Sequence, residues 1–374
     1  MTLPFWSSVV GVVYPYLGYP VCLWLLSVMA RRKWPRHDGL PPTATMLVPV
    51  HNEARAIKAK VDNTAALQFP RERLQVLFIS DGSTDNTVQL LRECCLPWME
   101  VVELPVRGGK AAALNAGLAR ARNDVLIFTD ASIMLDVASL RHIMTPFADP
   151  TIGCVSGEDL IAGSSGEAIY GRYELLLRRL ESEVHSIVGA SGSFYAQRRA
   201  LCQPFTEGLA PDFLSVLRVV EQGARAVSEP LAVGYMSSLA DHRREFERKV
   251  RTGIRGLTTL FAHAHLLNPF AHGAFAFALW SHKLLRWLAP AFMLVALVSA
   301  AVLADSPFYL AAFALQVAFY LVGVAAHLGV AGIGRSLPGK IALYFCTVNL
   351  AVLVSWGKYL TGVRQELWTP TQRS

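Results

Sequence analysis

The sequence predicts a doubly wound α/β domain with a mostly parallel sheet, set between apolar helices that cross a membrane. Three observations predict it. Short apolar runs alternate with helical segments between residues 45 and 130, the pattern of parallel strands joined by crossover helices. Three of those runs lead into a carboxylate, at Glu53, Asp81 and Asp130, and open α/β sheets bind ligands beyond their strand ends. The apolar residues, 53% of the chain against 17% charged, concentrate at its two ends, which an ordinary soluble domain does not do.

Residues 5–30 are apolar and carry no charge, enough to span a bilayer, with Pro15 and Pro20 to kink the helix. With no basic leader and no clear cleavage site, the segment reads as an anchor. Arg31, Arg32, Lys33 and Arg36 follow at once, which places the N-terminus outside and the next residues in the cytoplasm. Residues 1–38 are therefore an anchor with a basic flank, and 39–42 a linker.

The domain expected over 39–240 begins with Thr45-Met-Leu-Val-Pro-Val-His-Asn-Glu53, a short strand ending in polar residues. A helix over 55–67, a strand over 75–80, a helix over 88–95 and a strand over 99–103 come next. Arg107-Gly-Gly-Lys110 opens a helix to residue 122, and Val125-Leu-Ile-Phe-Thr-Asp130 is a fourth strand. A strand at 152–156, a long helix over 167–188, the glycine-rich turn Gly189-Ala-Ser-Gly-Ser193, a helix opening at Pro211-Asp-Phe213 and a strand over 226–235 complete the domain.

From Asp241 the composition shifts. Residues 241–255 are strongly basic and helical, and 257–280 read as amphipathic and interfacial, so 241–283 form an interface region. Residues 284–374 hold the C-terminal membrane region, with spans expected at 288–304 and 308–330. The shorter stretch 341–356 reads either as a span or as re-entrant. Lys358 and Arg364 favour a cytoplasmic C-terminus, whereas four full spans starting from outside would leave it outside.

The net charge of +7 lies largely in clusters beside apolar segments, which points to anionic lipid and a phosphate-bearing substrate rather than nucleic acid. The six cysteines include no CxxC pair and no Cys/His ligand spacing, so neither zinc nor a disulfide framework is expected. Reduced cysteines fit the cytosol. His263, His265 and His272 belong to an interfacial aromatic stretch rather than a metal site.

The richest local signal is Leu77-Phe-Ile-Ser-Asp-Gly-Ser-Thr-Asp85. An apolar strand runs into Asp81, Gly82 permits a tight turn, and Ser83 or Thr84 can cap the next helix. A carboxylate at a strand tip then lies beside a helix N-terminus that favours anions.

The order of these parts resembles the inverting family-two glycosyltransferases of GT-A fold, the nucleotide-diphospho-sugar transferases that include membrane-bound cellulose and hyaluronan synthases. The resemblance runs from about residue 43 to the C-terminus and is most specific up to 287. It implies that Glu53, in Pro49-Val-His-Asn-Glu53, lies near the nucleotide base, that Asp81 contacts uracil or ribose, and that Lys110 lies near the nucleotide. Thr129-Asp-Ala-Ser132 stands where that family has Asp-x-Asp, so Asp130 and Ser132 would hold a divalent cation, Mg²⁺ or Mn²⁺. Asp212 matches the general base, Gly192 lets backbone approach a sugar, and Arg248 and Arg251 match the arginine box that clamps the diphosphate.

The expected protein is a multi-pass enzyme of the cell (inner) membrane with its catalytic domain in the cytoplasm. It would transfer a sugar from a nucleotide-sugar donor, UDP-linked by resemblance, to a lipid-linked or growing polysaccharide acceptor. Membrane lipid and polysaccharide export proteins are its expected partners. Thr252 replaces the tryptophan of the processive synthases, and the membrane part is thin, so non-processive transfer is expected. A catalytically degenerate scaffold subunit and a processive synthase are the alternatives.

Overall fold

The computed structural model describes residues 1–30, 42–161, 165–237, 242–330 and 332–364. The basic flank at 31–36, most of the expected linker, Asp241, and the boundaries placed at 38/39 and 240/241 lie outside the described residues.

The N-terminal apolar segment forms α1 (Thr2–Val13) and α2 (Tyr19–Ala30), joined by a π-helical turn at Tyr14–Gly18 that contains Pro15. The central region alternates as the hydrophobic runs predict. It comprises β1 (Ala44–Val50), α3 (Ile57–Ala66), β2 (Leu74–Asp81), α4 (Thr87–Cys94), β3 (Met99–Leu104), α5 (Gly109–Arg120) and β4 (Val125–Thr129). Next come β5 (Met134–Leu135), α6 (Ser139–Met144), β6 (Ile152–Ile161), α7 (Gly166–Val184), β7 (Phe194–Arg198), α8 (Pro211–Glu221) and β8 (Arg225–Met236).

The eight strands make one sheet in the order β3-β2-β1-β4-β7-β6-β8-β5. The first four are parallel, β7 runs antiparallel to both β4 and β6, and β6 is parallel to β8, so the sheet is parallel in its first half and mixed beyond. All seven residues of β1 and all five of β4 are buried, as strands covered on both faces require. Pro49 lies beyond Leu47, the last β1 residue paired with β4, so its missing N–H falls outside that ladder.

The C-terminal helices are α9 (His242–Ala262), α10 (Pro269–Leu279), α11 (Leu285–Val302), α12 (Pro307–His327) and α13 (Leu337–Leu360). Two expectations change here. The span expected to begin at 288 is part of a longer apolar helical segment, Pro269–Val302, in which a π-helical turn at Trp280–Leu284 joins α10 to α11. Helical bonding continues past Lys283 and Arg286, and His282 and Arg286 meet partners on α7, as described below. The stretch at 341–356 lies within α13, an unbroken helix of 24 residues, about 36 Å at 1.5 Å per residue. A re-entrant segment needs a break that α13 lacks. Thr2–Ala30, Pro269–Val302, Pro307–His327 and Leu337–Leu360 are all long and apolar enough to cross a membrane.

One hydrophobic core crosses from the sheet into these helices. Leu47, Leu177, Leu214 and Phe213 belong to the same buried cluster as Tyr19, Leu260, Phe275 and Leu284. The residues on either side of the expected 283/284 boundary therefore share a core with the catalytic sheet.

Candidate active site

The turn after β2 is a backbone anion site built around a carboxylate. Asp81 is fully buried, and the amides of Gly108 and Gly109 donate to its Oδ1 and Oδ2 at 2.7 and 2.9 Å. Asp81 thus fixes the loop that launches α5 and, on its first turn, Lys110. Gly82 has φ 56°, and a Cβ there would lie 2.5 Å from the Arg107 amide nitrogen, so the turn admits only glycine. Neither Ser83 nor Thr84 caps the helix, whose N-cap is Asn86 without a side-chain cap hydrogen bond; Asp85 Oδ1 accepts from the Thr87 N–H at 3.0 Å just before it. The helix begins later than the Ser-Thr pair, at Thr87. Asn52, at φ 53°, locks the β1 tip to this loop by accepting from the Thr84 N–H at 2.8 Å.

Glu53 lies 8% exposed beside that junction. Burial, reinforced by the charges of Asp130 and Asp85, pushes its carboxyl up to about 7.

Asp130 ends β4, and Ser132 lies in the turn directly after it. Lys110 Nζ is 2.5 Å from Asp130 Oδ1 and donates to the Gly192 carbonyl at 3.2 Å. The Asp130 amide donates to the Ser193 carbonyl at 3.1 Å, so the glycine-rich loop is laced to the end of β4. On the other side of that loop, a Cβ built on Gly192 would lie 3.8 Å from Asp212 Oδ2. The structure therefore brings Asp130, Lys110, Gly192 and Asp212 into one contiguous cluster.

Asp212 is in the first turn of α8, whose N-cap is Ala210 and has no side-chain cap hydrogen bond. The Asp212 carboxylate is not consumed in capping. The Ala210 amide donates to Thr259 Oγ1 on α9 at 2.9 Å, which ties the start of α8 to the basic helix. Arg251 and Arg255 lie on that helix within electrostatic reach. Burial pushes the Arg255 guanidinium down, as does the charge of Arg251, while Asp212 opposes this. Arg248 departs from expectation. Its Nη2 pairs with Glu167 Oε1 on α7 at 2.6 Å, away from the Asp130–Asp212 cluster. Of the arginines on α9, Arg255 has a direct electrostatic interaction with Asp212, and Arg251 is its neighbour.

Two contributors were not read from the sequence. Lys60 is fully buried and donates to Thr129 Oγ1 and the Ile133 carbonyl at 3.0 and 2.8 Å, bracketing the turn that carries Asp130 and Ser132. Burial drives its ammonium down to about 7. The signal was present: Ile57, Lys60, Val61 and Thr64 form the buried stripe of α3, and a lysine on such a stripe needs partners.

The second contributor is the seam between α7 and the membrane-end helices. His282 Nδ1 lies 2.6 Å from Glu181 Oε1 and its Nε2 lies 2.9 Å from Glu174 Oε2. Arg286 pairs with Glu174 and sits among the rings of Tyr16, Tyr170 and Tyr173. Tyr19 donates to Glu181 at 2.8 Å. Despite its burial, Glu174 is held well below the usual carboxylate range by Arg286 and His282. The π turns at Tyr14–Gly18 and Trp280–Leu284 meet at this level, where Tyr14 Oη and Ser281 Oγ are 2.9 Å apart.

No group of three or more His, Cys, Asp or Glu side chains able to hold a metal occurs among the described residues. His265 instead meets Glu221 at 2.6 Å. A carboxylate with a neighbouring hydroxyl, as at Asp130 and Ser132, suits Mg²⁺-like cations that complete their shell with substrate phosphates and water. The donor set therefore fits a cation shared with substrate.

A parallel half-sheet whose strand ends gather carboxylates, a lysine and a glycine-rich loop is the arrangement of a GT-A fold. Residues 45–199 match the family model described as Glycosyl transferase family 2, so this region of the chain is similar to that family. It is similar to the poly-beta-1,6-N-acetyl-D-glucosamine synthase of Staphylococcus aureus, 26% identical over 206 residues that cover 51% of this chain and 49% of that one. It is also similar to the probable glycosyltransferase YdaM of Bacillus subtilis, 31% identical over 132 residues, 34% of this chain and 31% of that one. The chain spans about half the length, or less, of these curated relatives. Among solved structures, the mannosyltransferase PcManGT from Pyrobaculum calidifontis, in complex with GDP-Man and Mn2+, matches with a TM-score of 0.70 and 23% identity. That match covers 95% of this chain and 98% of the other, so the shared fold includes the helices at both ends.

Proposed function

We propose that this protein transfers a sugar, with inversion, from a nucleotide-sugar to a lipid-linked acceptor at a membrane surface, adding one or a few sugars per encounter. The observation that carries this reading is the cluster Asp130–Lys110–Gly192–Asp212, which joins the nucleotide side of the sheet to a single carboxylate beneath the basic helix.

Asp212 takes the proton from an acceptor hydroxyl, and the oxygen attacks the anomeric carbon opposite the departing nucleoside diphosphate. Lys110 and Arg251 hold the diphosphate from two sides. Asp81 shapes the loop carrying Lys110, and Glu53 lines the nucleotide end. Gly192 leaves the face of Asp212 open to a sugar. A divalent cation at Asp130 and Ser132, when bound, neutralises charge on the leaving diphosphate. The basic flank and α9 orient the catalytic domain toward the cytoplasmic leaflet.

Two features support distributive transfer. Thr252 presents no ring for sugar stacking. The cavity of about 480 Å³ among α9, α11, α12 and α13 is walled mainly by apolar side chains such as Met293, Leu294, Val324 and Leu350, with Arg243, His327, Thr347 and Asn349 as scattered polar exceptions, whereas a sugar-conducting pore needs a continuous polar lining.

The test is a panel of UDP- and GDP-sugars with Mg²⁺ or Mn²⁺ and a lipid extract, read by mass spectrometry. The expected product is lipid carrying one or a few added sugars. Polymer accumulating beside unused acceptor would overturn the distributive reading, and failure of every donor would favour a scaffold role.

A further inference from the structure

Lys283 is supplied by the long apolar helix, yet it faces the catalytic cluster. It lies in the π-helical turn Trp280–Leu284, and its Nζ is 5.5 Å from the centre of the Phe213 ring, next to Asp212. A Cβ built on Gly189, at the start of the glycine-rich loop, would lie 3.4 Å from that Nζ. Lys283 makes no hydrogen bond or ion pair with any described residue. Arg178 approaches the same loop from α7, its Nη2 3.4 Å from the Ala190 carbonyl and its Nη1 3.5 Å from Ser156 Oγ.

Asp212 thus stands between two groups of cations. Lys110 lies across Gly192 on the nucleotide side and is already bonded to Asp130. Lys283 and Arg178 lie toward Gly189 and the membrane-end helix. Nearby Glu174 and Glu181 are engaged by Arg286, His282 and Tyr19. An ammonium held in a half-buried pocket without a direct partner is unfavourable unless a ligand brings an anion to it. The donor diphosphate is provided for at the Lys110 side, so the second anion must come with the other substrate.

Resting on the glycosyltransferase reading above, we propose that Lys283 and Arg178 form a phosphate subsite for the acceptor, whose chemical class is a lipid bearing a phosphate or diphosphate next to its sugar-accepting end. The π turn sets the register that points Lys283 at the loop, so the membrane helix itself takes part in acceptor recognition.

The test measures binding of a polyprenyl phosphate and of the matching polyprenol to the full chain in detergent, with UDP and GDP binding followed in parallel. Wild type should prefer the phosphate about tenfold or more, as one charge-assisted contact allows. Lys283→Gln should lose that preference, Lys283→Arg should keep most of it, and Arg178→Gln should reduce it. Nucleotide affinity should stay within about twofold throughout, which also reports that the variants are folded. The proposal is overturned if wild type shows no preference or if Lys283→Gln retains it. A parallel fall in nucleotide affinity would also overturn it, by placing Lys283 on the donor, and so would equal competition by phosphatidylglycerol, by giving Lys283 to bulk headgroups. Failure of wild type to bind any nucleoside diphosphate is a separate result that removes the glycosyltransferase reading and this proposal with it.

Discussion

The nucleotide crevice and the membrane seam both bury charge, but they satisfy it differently. In the crevice, Asp81 is answered by two backbone amides of a Gly-Gly turn, and Asp85 by the N–H two residues on. In the seam, Glu174 is answered by side chains more than a hundred residues away, those of His282 and Arg286, and Glu181 is shared between His282 and the Val188 N–H at 3.2 Å. Backbone amides remain available whatever a distant segment does. Around Glu174 the seam relies on side chains, and Arg286 Nε and Nη2 are buried without hydrogen-bond partners among the tyrosine rings. On the proposed function, donor binding falls to a sheet edge held by its own backbone, and acceptor placement to a joint formed where the helices dock.

The largest expected effect tests the crevice. Asp130→Ala should weaken cation-dependent donor binding by about 10²-fold or more, since a bridging cation contributes several kcal/mol. EDTA should mimic it in titration calorimetry. Unchanged affinity would leave Asp130 only the placement of Lys110.

Next comes the seam. Arg286→Met strips a buried partner from Glu174 and should destabilise the detergent-solubilised protein by about 3–5 kcal/mol. Arg92→Ala removes an ion pair whose side chains are 68% and 49% exposed, and should cost less than about 1 kcal/mol. Equal shifts in thermal unfolding would break the comparison.

The smallest effect is a pH dependence. The folded state raises the Glu53 carboxyl from its ordinary 4.5 to about 7. A raised carboxyl favours folding below its unfolded value, and that contribution is lost as pH rises through 7. Glu53→Gln should therefore melt higher than wild type at pH 8, with the gap narrowing toward pH 5. A gap independent of pH would mean that Glu53 does not titrate there.

What the sequence revealed follows the same division. The β1–β4 half of the sheet was legible because each strand, turn and helix signals itself within about ten residues, as at Asp81-Gly82 and Arg107-Gly-Gly-Lys110. Asp130, Gly192 and Asp212 were legible as an ordered series, and the fold brings them together. The antiparallel insertion of β7 was not, because strand order depends on pairings between distant segments. The pairing of Arg248 with Glu167 is not legible, because motif spacing does not say which distant residue a helix stripe meets. The full extent of Pro269–Val302 is not legible because Lys283 and Arg286 read as the charged start of a span, and the partners of His282 and Arg286 on α7 are set by the fold.

The account stands most directly on Asp212 as the base where crevice and seam meet. The decisive measurement is sugar transfer by Asp212→Asn set against its affinity for the nucleoside diphosphate. Transfer should fall by about 10²–10⁴-fold, the range of a general base, while nucleotide affinity stays near wild type. Transfer within about tenfold of wild type, or nucleotide affinity collapsing together with transfer, would contradict it.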